Sequence, residues 1–304
     1  MNQSILSASE TASHLPYGAL AQEIGLLLQD RSVQVPTRLV QALPGGGSLF
    51  VMPALDSHIA IAKLITFTPA NAGSQRATIQ GDVIVFDIAS GQRLFIMDGP
   101  TVTARRTAAV SLLAAQRLAP NPDGTLLIVG AGTQGRAHLD AFVQGLGVRE
   151  VVIASGSNAS AAALADYADS LGVRSRVVSD PNTVLDACSL AVTCTPAHRV
   201  VLSATPRSDA FIAAVGAFTP SMVEIAPDVC RHMAQTGVIV LDTSDAVHEA
   251  GDLLQAGLDM REFKTLRDAI GSAPKFKSGP VLFKSCGWAG WDLAAARTAQ
   301  ATSQ

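Results

Sequence analysis

A glycine motif and its flanking segments are typical of a dinucleotide-binding site. Residues 130–135 read GAGTQG, with the spacing G-x-G-x-x-G, and they follow five strand-type residues at 125–129. In this setting Gly130 permits a tight turn, Gly132 lets the backbone approach a pyrophosphate, and Gly135 lets the next helix pack on the sheet. The start of that helix supplies free N–H groups and partial positive charge. The motif alone is common, so the flanking strand and helix favour nucleotide binding over a purely structural turn.

The next predicted strand, residues 150–154, bears on the choice of cofactor. NAD-specific enzymes place an acidic residue at its end, where it accepts from the ribose 2′-hydroxyl. This chain has Ser155 and Ser157 there and no carboxylate. Because hydroxyl groups do not repel a 2′-phosphate, the sequence favours NADP(H), with NAD(H) as the alternative. Arginines that could contact the phosphate are Arg136, Arg174 and Arg176.

Several basic residues could hold an anion, although none is assigned a role by itself. Lys63 lies in an apolar stretch, IAIAKLITF, where a lysine must either extend to an edge or point into a site. The residues alone favour a partly exposed strand lysine. Arg38 follows Pro-Thr at the start of a predicted strand. Arg105 and Arg106 are successive helix residues and project about 100° apart.

Two polar segments each allow a functional and a structural interpretation. Thr195 follows a predicted strand in the sequence TCTP and could lie near a nicotinamide, but an ordinary turn is equally compatible. Cys194 has no sequence-adjacent base to activate it as a nucleophile. Asp245, His248 and Glu249 could take part in acid–base catalysis, although a surface loop is the better interpretation.

Composition excludes several classes of protein. Of the 304 residues, 48% are hydrophobic and 15% are charged, which excludes a disordered chain. The formal net charge of −3 gives no electrostatic reason to expect nucleic acid or an anionic membrane as partner. No apolar run reaches the roughly 18 residues of a membrane span. The four cysteines are scattered and no histidine lies at zinc-ligand spacing, so we expect no metal site and a reduced, cytoplasmic protein.

The first part of the chain is predicted to be an α+β domain. Ser7 and Glu10 form a capping box for a first helix, and apolar residues recur at helical spacing in a second. Strands joined by short turns then indicate a largely antiparallel sheet. A helix at residues 102–118, with Thr103 as N-cap, precedes a Pro-rich boundary. The predicted strands are residues 37–41, 49–53, 58–67, 78–87 and 93–97.

From residue 125 onward, predicted strands and helices alternate, which is typical of a doubly wound parallel sheet. We therefore predict an α/β protein with a Rossmann dinucleotide-binding domain, residues 119–284. A smaller α+β domain comprises residues 1–118 and is completed by residues 285–304. The predicted strands of the second region are residues 125–129, 150–154, 174–178, 190–193, 211–215 and 238–241, followed by a strand or loop at 280–285 and a helix at 288–299.

Taken together, several segments resemble the ornithine cyclodeaminase/μ-crystallin family over most of the chain. The RTAA and FKS-x-G pieces are far more specific than the glycine motif. The matching segments are PTR at 36–38, Lys63 in its apolar strand, TIQG at 78–81, the stretch 101–109 with RTAA, GAGTQG at 130–135, FKSCG at 283–287 and DLAA at 292–295.

The resemblance implies roles for residues that have none individually. Arg38, Lys63 and Arg106 would bind the carboxylate of a substrate through charge-assisted hydrogen bonds. Repulsion among these cations would ease proton loss from Lys63, which makes it a candidate proton donor and catalytic residue. The first domain would bind substrate and form a homodimer completed by the C-terminal helix. The cofactor would contact Thr78, the glycine loop with Gly130, Gly132, Thr133, Gln134 and Gly135, Thr195, Lys284, Ser285 and Gly287, in addition to Ser155 and Ser157.

One departure from the family bears on the activity. Its cyclodeaminases carry an acidic residue shortly after the Val-Gly that ends the fifth strand, and this chain has Phe218 at about that place. A phenyl ring cannot act as a base, so ammonia-releasing cyclisation is disfavoured unless Glu224 or Asp228 replaces the acid.

The resemblance, together with Phe218, implies an NAD(P)H-dependent reductase of cyclic α-imino acids. Its substrates would be Δ1-pyrroline-2-carboxylate and Δ1-piperideine-2-carboxylate, and its products proline and pipecolate. One alternative is an ornithine cyclodeaminase or an alanine-dehydrogenase-like enzyme of the same family. The other is a non-catalytic, NADPH-binding protein of the crystallin type.

Overall fold

A computed structural model describes residues 4–71, 74, 76–271 and 279–302. The chain divides into two compact units. The first unit is Met1–Thr107 with Trp288–Gln304, and the second unit is Ala108–Gly287. The divisions therefore fall at 107/108 and 287/288, against the domain boundaries expected at 118/119 and 284/285.

The described residues form sixteen strands and nine α-helices. The strands are β1 (Ser4–Ile5), β2 (Leu39–Leu43), β3 (Gly47–Leu55), β4 (Ile59–Phe67), β5 (Ile79–Asp87), β6 (Arg93–Asp98), β7 (Leu126–Val129), β8 (Glu150–Ala154), β9 (Arg174–Val178), β10 (Leu190–Thr193), β11 (His198–Leu202), β12 (Phe211–Ala214), β13 (Val223–Ile225), β14 (Val238–Leu241), β15 (Lys264–Thr265) and β16 (Val281–Lys284). The helices are α1 (Ala8–Ser13), α2 (Tyr17–Leu27), α3 (Gly99–Leu118), α4 (Thr133–Leu146), α5 (Asn158–Ser170), α6 (Pro227–Thr236), α7 (Gly251–Gln255), α8 (Leu266–Gly271) and α9 (Ala289–Thr302).

The first unit is built on a six-stranded sheet with the order β1-β6-β5-β4-β3-β2. Strands β2 to β6 pair antiparallel, which confirms the predicted antiparallel sheet, and β1 joins β6 in parallel. The register places Met52, Lys63 and Val83 side by side in one row. Helix α9 packs against β3 and β4, and α2 packs against α9. We call the face that carries Lys63 the inner face of this sheet.

Of the two helix caps predicted in the first unit, one is confirmed and the other is wrong. The capping box of Ser7 and Glu10 is confirmed. The prediction of Thr103 as an N-cap is wrong, because α3 begins at Gly99 and the Thr103 hydroxyl donates to the Gly99 carbonyl oxygen at 2.8 Å inside the helix. Asp98 performs the function expected of Thr103, since its Oδ1 accepts the N–H of Thr101 at 2.8 Å.

The second unit contains an eight-stranded sheet with the order β15-β14-β16-β12-β10-β7-β8-β9. Its pairings are parallel, which confirms the predicted doubly wound sheet. Strand β7 lies between β10 and β8, so the chain reverses its direction of progress across the sheet there. In such sheets, ligands bind beyond the carboxyl ends of the strands at this position.

Two small features of the second unit were not predicted. Strand β11 pairs with β13 in a separate parallel sheet, and β15 adds a short edge to the main sheet. Strand β11 reads HRVVL and is mostly exposed, so it has no alternation that would indicate a strand. In the described part of the chain, no helix is both long and apolar enough to cross a membrane.

Candidate active site

The glycine loop, residues 130–135, has the geometry that a dinucleotide requires. Gly130 has a φ of +115°, and a Cβ on it would lie 2.7 Å from the carbonyl oxygen of Cys194. A Cβ on Gly135 would collide with the Gly130 carbonyl oxygen. Gly132 is the N-cap of α4 without a side-chain hydrogen bond, and a Cβ there would meet no protein atom within 4 Å. An uncapped helix start with open space on one side fits a pyrophosphate.

The segment after β10 lies beside this loop, because β10 pairs with β7 and Thr193 lies opposite Val129. The Cys194 thiol donates to the Gly130 carbonyl oxygen at 3.1 Å. Burial raises the pKa of this thiol well above its ordinary value. Cys194 therefore connects two loops and is not an activated nucleophile.

A buried carboxylate fixes the ends of β10 and β12. Glu224 Oε1 accepts from the N–H and the hydroxyl of Thr195, at 2.7 and 2.8 Å. Its Oε2 accepts from the hydroxyl of Thr193 at 2.9 Å and from the N–H of Gly216 at 2.7 Å. Burial raises the pKa of Glu224, while the positive charge of Lys284 opposes that shift. Since four donors fill the acceptor sites of this carboxylate, Glu224 holds the Thr195 loop and does not act as a base.

Lys284 belongs to the same buried network. Its Nζ lies 2.7 Å from Asp252 Oδ2, and both side chains are 0% exposed. Asp252 Oδ1 accepts from the N–H groups of Glu224 and Ile225, at 2.6 and 2.9 Å. Burial alone would lower the pKa of Lys284, but the charge of Asp252, aided by Glu224, raises it. We call Lys284, Asp252 and Glu224 the Lys284 cluster.

A second carboxylate fixes the segment after β16. Asp242 Oδ2 accepts from the Ser285 hydroxyl at 2.8 Å and from the N–H groups of Cys286 and Gly287 at 2.9 Å. The Lys284 amine, the Ser285 hydroxyl and the Gly287 N–H are thus used within the protein. Cofactor contacts by these three residues remain a prediction, and the structure gives their polar groups a positioning function.

Ser155 and Ser157 lie at the carboxyl end of β8, as expected. Ser157 is the N-cap of α5, and its Oγ accepts from the N–H of Ser160 at 3.2 Å. The N–H of Ser157 in turn donates to the Ser155 Oγ at 3.3 Å. These hydroxyls therefore shape the turn at which a ribose would bind, and the turn carries no carboxylate.

The three candidate phosphate-binding arginines lie at different places in the second unit. Arg174 pairs in register with Glu150 and forms an ion pair with it at the amino end of the strands, about 13 Å from their carboxyl ends. Arg176 lies in the middle of β9. Arg136 lies in the first turn of α4, and its guanidinium carbon is 3.7 Å from the centroid of the Tyr167 ring. Arg136 is the arginine that lies on the side of the glycine loop.

The first unit contains a buried cluster of opposite charges on the inner face of its sheet. Lys63 Nζ donates to Asp292 Oδ1 at 2.8 Å, and Arg106 Nε donates to the same oxygen at 3.2 Å. The side chains of Lys63, Arg106 and Asp292 are 0%, 8% and 0% exposed. The expectation of a partly exposed strand lysine is therefore wrong, because α9 covers this part of β4. We call these three residues the Lys63 cluster.

The charges within this cluster are not balanced. Two cations share one carboxylate, so a net charge of +1 remains when all three groups are ionised. Burial lowers the pKa of Lys63 to about 8, with Asp292 opposing the shift and Arg106 adding to it. Asp292 accepts a hydrogen bond from the Nε of Arg106. This contact does not use the two terminal amino groups of the guanidinium. An amine that titrates near neutrality beside an available guanidinium can bind an anion and transfer a proton.

The sheet register relates Arg38 to this cluster. Arg38 is half-buried and directly precedes β2, whose first residue, Leu39, pairs with Val51. Continuing the ladder by one residue places Arg38 opposite Met52, which is paired with Lys63. Arg38 is thus about two strand spacings, or about 10 Å, from Lys63 on the inner face, within reach of a shared ligand. Thr78, the remaining predicted residue of the first unit, is half-buried directly before β5.

Other candidates are given structural roles. Arg105 donates to the Leu15 carbonyl oxygen at 2.8 Å and lies over the Tyr17 ring, 4.0 Å from its centroid, so it is directed away from Arg106. Phe218 is half-buried and packs against the apolar core of the second unit. Asp228 is exposed and forms an ion pair with Arg231.

Sequence reasoning missed three buried aspartates that fix the clusters and the segment after β16, namely Asp292, Asp252 and Asp242. Asp292 was noted only as part of a family segment, although an aspartate in the apolar helical stretch WAGWDLAAA is an unusual residue for a core helix. Asp242 and Asp252 were not singled out, because nothing local marks an acid whose partners are distant in sequence. Among the described residues, no group of three or more His, Cys, Asp or Glu side chains could hold a metal ion.

Comparison with known proteins gives consistent matches over the whole length. The sequence profile of the ornithine cyclodeaminase/mu-crystallin family matches residues 1–302. The Delta(1)-pyrroline-2-carboxylate reductase 1 of Burkholderia multivorans is 36% identical, over 97% of this chain and 94% of that protein. The Delta(1)-pyrroline-2-carboxylate/Delta(1)-piperideine-2-carboxylate reductase of Azospirillum brasilense is 35% identical, over the same shares of the two chains.

A solved structure shares the fold. The structure is similar, with a TM-score of 0.85, to that of the Thermococcus litoralis Delta(1)-pyrroline-2-carboxylate reductase in complex with NADH and L-proline. The match covers 98% of this chain and 94% of that chain at 21% sequence identity. At this identity, the likeness concerns the arrangement of helices and strands.

Proposed function

The chain belongs to the ornithine cyclodeaminase/mu-crystallin family, and we propose that it is an NAD(P)H-dependent reductase of cyclic α-imino acids. Its substrates would be Δ1-pyrroline-2-carboxylate and Δ1-piperideine-2-carboxylate, which it would reduce to proline and pipecolate. The names of the Burkholderia and Azospirillum relatives support this proposal. The observation that carries it is the unbalanced Lys63 cluster, because a buried excess of positive charge favours a small anionic ligand.

In this proposal, the substrate carboxylate is bound by Arg38, Lys63 and Arg106. The two terminal amino groups of Arg106 suit bidentate binding of a carboxylate. Since Lys63 is fully buried and Arg106 is 8% exposed, side chains around the Lys63 Nζ must move for a ligand to reach it. Holding the carboxylate fixes the position of the adjacent C=N carbon, so that reduction becomes effectively unimolecular.

A bound nicotinamide cofactor would supply the hydride. The residues that we propose for its binding are the glycine loop with Thr133 and Gln134, together with Thr78, Ser155, Ser157, Thr195, Lys284, Ser285 and Gly287. We favour NADP(H), because no carboxylate follows β8, and NAD(H) is the alternative. Comparing rates with the two nucleotides tests this preference, and Ser155→Asp should shift it toward NADH.

The imine nitrogen must gain a proton as the adjacent carbon gains hydride. We propose that the Lys63 ammonium gives this proton to the nitrogen, becomes a neutral amine, and regains a proton from water after the product leaves. A general acid is effective when its pKa lies near the working pH, and the pKa of Lys63 is lowered to about 8.

Cyclodeaminase activity is the weaker candidate. The position expected for an acidic residue carries Phe218, which packs against the apolar core. Glu224 has its acceptor sites filled by four donors, and Asp228 is exposed and paired with Arg231. Neither therefore replaces the missing base.

The direct test follows the loss of NADPH or NADH absorbance on addition of Δ1-pyrroline-2-carboxylate or Δ1-piperideine-2-carboxylate. Ornithine with catalytic NAD⁺ is assayed for ammonia in parallel. Stoichiometric oxidation without ammonia is the expected result. Ammonia release without net oxidation would identify a cyclodeaminase, and tight nucleotide binding with no turnover would identify a binding protein.

We also propose a homodimer formed through the outer face of the first unit's sheet. This face is apolar over several neighbouring strands, and Leu64 on it is 39% exposed. Sedimentation should show a dimer that Leu64→Asp weakens, whereas Leu171→Asp, at a position 42% exposed in the second unit, should not. A wild-type monomer would contradict the proposal. The apolar residues of this outer face are Val51, Leu55, Ala62, Leu64, Ile84 and Phe86.

A further inference from the structure

One buried carboxylate of the first unit is not explained by packing. Asp292 lies in α9 with a side chain that is 0% exposed, between the buried residues Trp291 and Leu293. Burying a carboxylate costs on the order of several kcal/mol in lost solvation, and only well-placed partners offset this cost. The residues around it are otherwise apolar or small. Asp292 is thus a charged residue at a position where an uncharged side chain would pack.

The contacts of Asp292 are concentrated on one oxygen. Oδ1 accepts from both Lys63 and Arg106. Oδ2 is buried and has no hydrogen-bond partner among the residues that the structure describes. A carboxylate that served only to join two elements would gain by bonding through both oxygens, as Glu224 does. Asp292 instead brings two cations to a single point.

The position of that point is fixed by the anchoring of α9. Arg297, on the same helix, bonds to Asp56 and Asp30, each at 2.6 Å, and to Glu23 at 3.3 Å. Glu23 lies in α2, Asp30 lies shortly after the end of α2, and Asp56 lies between β3 and β4. Helix α9 is therefore held against its own unit independently of Asp292, and Oδ1 has a defined place beside Lys63.

We propose that Asp292 is a positioning residue for Lys63: its Oδ1 directs the Lys63 ammonium, sets its spacing from Arg106, and keeps it charged in a buried place. Asp292 acts through Lys63 and does not touch the substrate. The kinetic part of this inference rests on the proposed function, since there Lys63 is the proton donor. The part that concerns the charge of Lys63 does not.

The direction of the effect follows from the groups around Lys63. Its sheet neighbours Met52 and Val83 are apolar, α3 contributes Arg106, and α9 contributes Asp292. Burial and Arg106 favour the neutral amine, whereas Asp292 favours the ammonium. Removing the charge of Asp292 therefore lowers the pKa of Lys63 further.

Nuclear magnetic resonance can measure this directly, because the chain has only five lysines. The protein is labelled with ¹³C at the lysine Cε, and the Lys63 signal is assigned by its loss in Lys63→Met. In the wild type we expect a titration midpoint near the pKa of about 8. In Asp292→Asn the midpoint should fall by about one pH unit or more, which is a tenfold loss of proton affinity. Asp292→Glu should restore part of the shift.

The control is Asp30→Asn, which removes an ion pair of Arg297 in the same unit and leaves Lys63 untouched. Its Lys63 midpoint should equal that of the wild type. An unchanged midpoint in Asp292→Asn would overturn the proposal. So would a wild-type midpoint well below pH 7, because Asp292 would then not keep the Lys63 amine charged.

The pH profile of turnover separates this proposal from the proposed function. With Δ1-pyrroline-2-carboxylate, the wild-type kcat/KM, which reports the free enzyme, should fall above about pH 8, and in Asp292→Asn the fall should begin at lower pH. If the wild type reduces no imine while the midpoint still shifts, the reductase proposal fails and the positioning role stands. If the wild type is active and neither midpoint nor profile moves, the positioning role fails.

Discussion

Each unit of this protein buries a lysine completely, and the two lysines behave in opposite ways. Lys63 shares its single carboxylate with Arg106, and its pKa is lowered to about 8. Lys284 has Asp252 as its own partner and Glu224 nearby, and its pKa is raised. Burial is the same for both, so the number of carboxylates per cation decides the difference. An incompletely neutralised lysine is suited to reaction, and a fully neutralised one to holding structure.

The buried carboxylates of the two units also differ in the groups that they bind. In the second unit, Glu224 and Asp242 bind mainly backbone N–H and hydroxyl groups, and so fix the loops after β10, β12 and β16. In the first unit, Asp292 binds two cations through one oxygen, and its other oxygen has no partner in the described part of the chain. The second unit thus uses buried acids to fix the loops at which we propose that the nucleotide binds, while the first unit uses one to hold two cations together.

The largest effect should come from removing Lys63, the proposed proton donor. Lys63→Met should lower kcat by about 10²–10⁴-fold, the usual contribution of a general acid. Nucleotide binding, measured by fluorescence titration, should be preserved, because Lys63 lies in the first unit and the glycine loop in the second. Lys264→Met, at an exposed position of β15, is the control. Unchanged turnover in Lys63→Met would exclude Lys63 from the reaction.

Removing the structural lysine should instead reduce stability. Lys284→Met leaves Asp252 buried without its counter-ion, which costs about 3–5 kcal/mol in the free energy of unfolding. Denaturant titration of the wild type, Lys284→Met and Lys264→Met measures this loss. A loss in Lys284→Met no larger than in Lys264→Met would show that the pair contributes little.

The two lysines should also differ in how stability depends on pH. The folded-state pKa of Lys63, about 8, lies below its unfolded value, so the unfolded chain binds more protons between these values and stability rises with pH. From pH 7.5 to 9.5 the wild type should gain on the order of 2 kcal/mol relative to Lys63→Met. The raised pKa of Lys284 gives stability that is present below the ordinary lysine pKa and lost only above it. The wild type should therefore show no such gain relative to Lys284→Met.

A smaller effect should distinguish the neighbouring arginines. Arg106→Gln should raise KM for the imino acid about 10–100-fold, because charge-assisted hydrogen bonds contribute about 1.5–3 kcal/mol. Arg105→Gln is the matched control, since Arg105 bonds to Leu15 and stacks on Tyr17. Steady-state kinetics of both variants would contradict the assignment if Arg105→Gln had the larger effect on KM.

Local patterns predicted most of the secondary structure. Strands β8 and β10 have the predicted limits, because short apolar runs between turn residues define them. Strand β9, which reads RSRVV, also has its predicted limits. The start of α3 was misplaced, since Asp98 and Thr103 are both acceptable caps and only the hydrogen bonds decide between them.

The site was only partly accessible from sequence, for a physical reason. Lys63 and Arg106 were named through the family resemblance, but their common partner was not. Asp292 lies 229 positions from Lys63, and no periodic or local signal relates two residues so far apart. The same holds for Lys284 and Asp252, whose pairing depends on how the eight-stranded sheet orders its strands.

In the proposed reductase, the excess positive charge of the Lys63 cluster binds the carboxylate of a flat ring. Calorimetric titration of the nucleotide-saturated protein with pyrrole-2-carboxylate, which is planar and not an imine, tests it without turnover. Pyrrole-2-carboxamide has the same shape without the charge. We predict that the carboxylate binds at least about tenfold more tightly than the amide, and that Arg106→Gln removes most of the difference. Equal affinity for the two compounds would show that the charge of the Lys63 cluster does not bind the carboxylate.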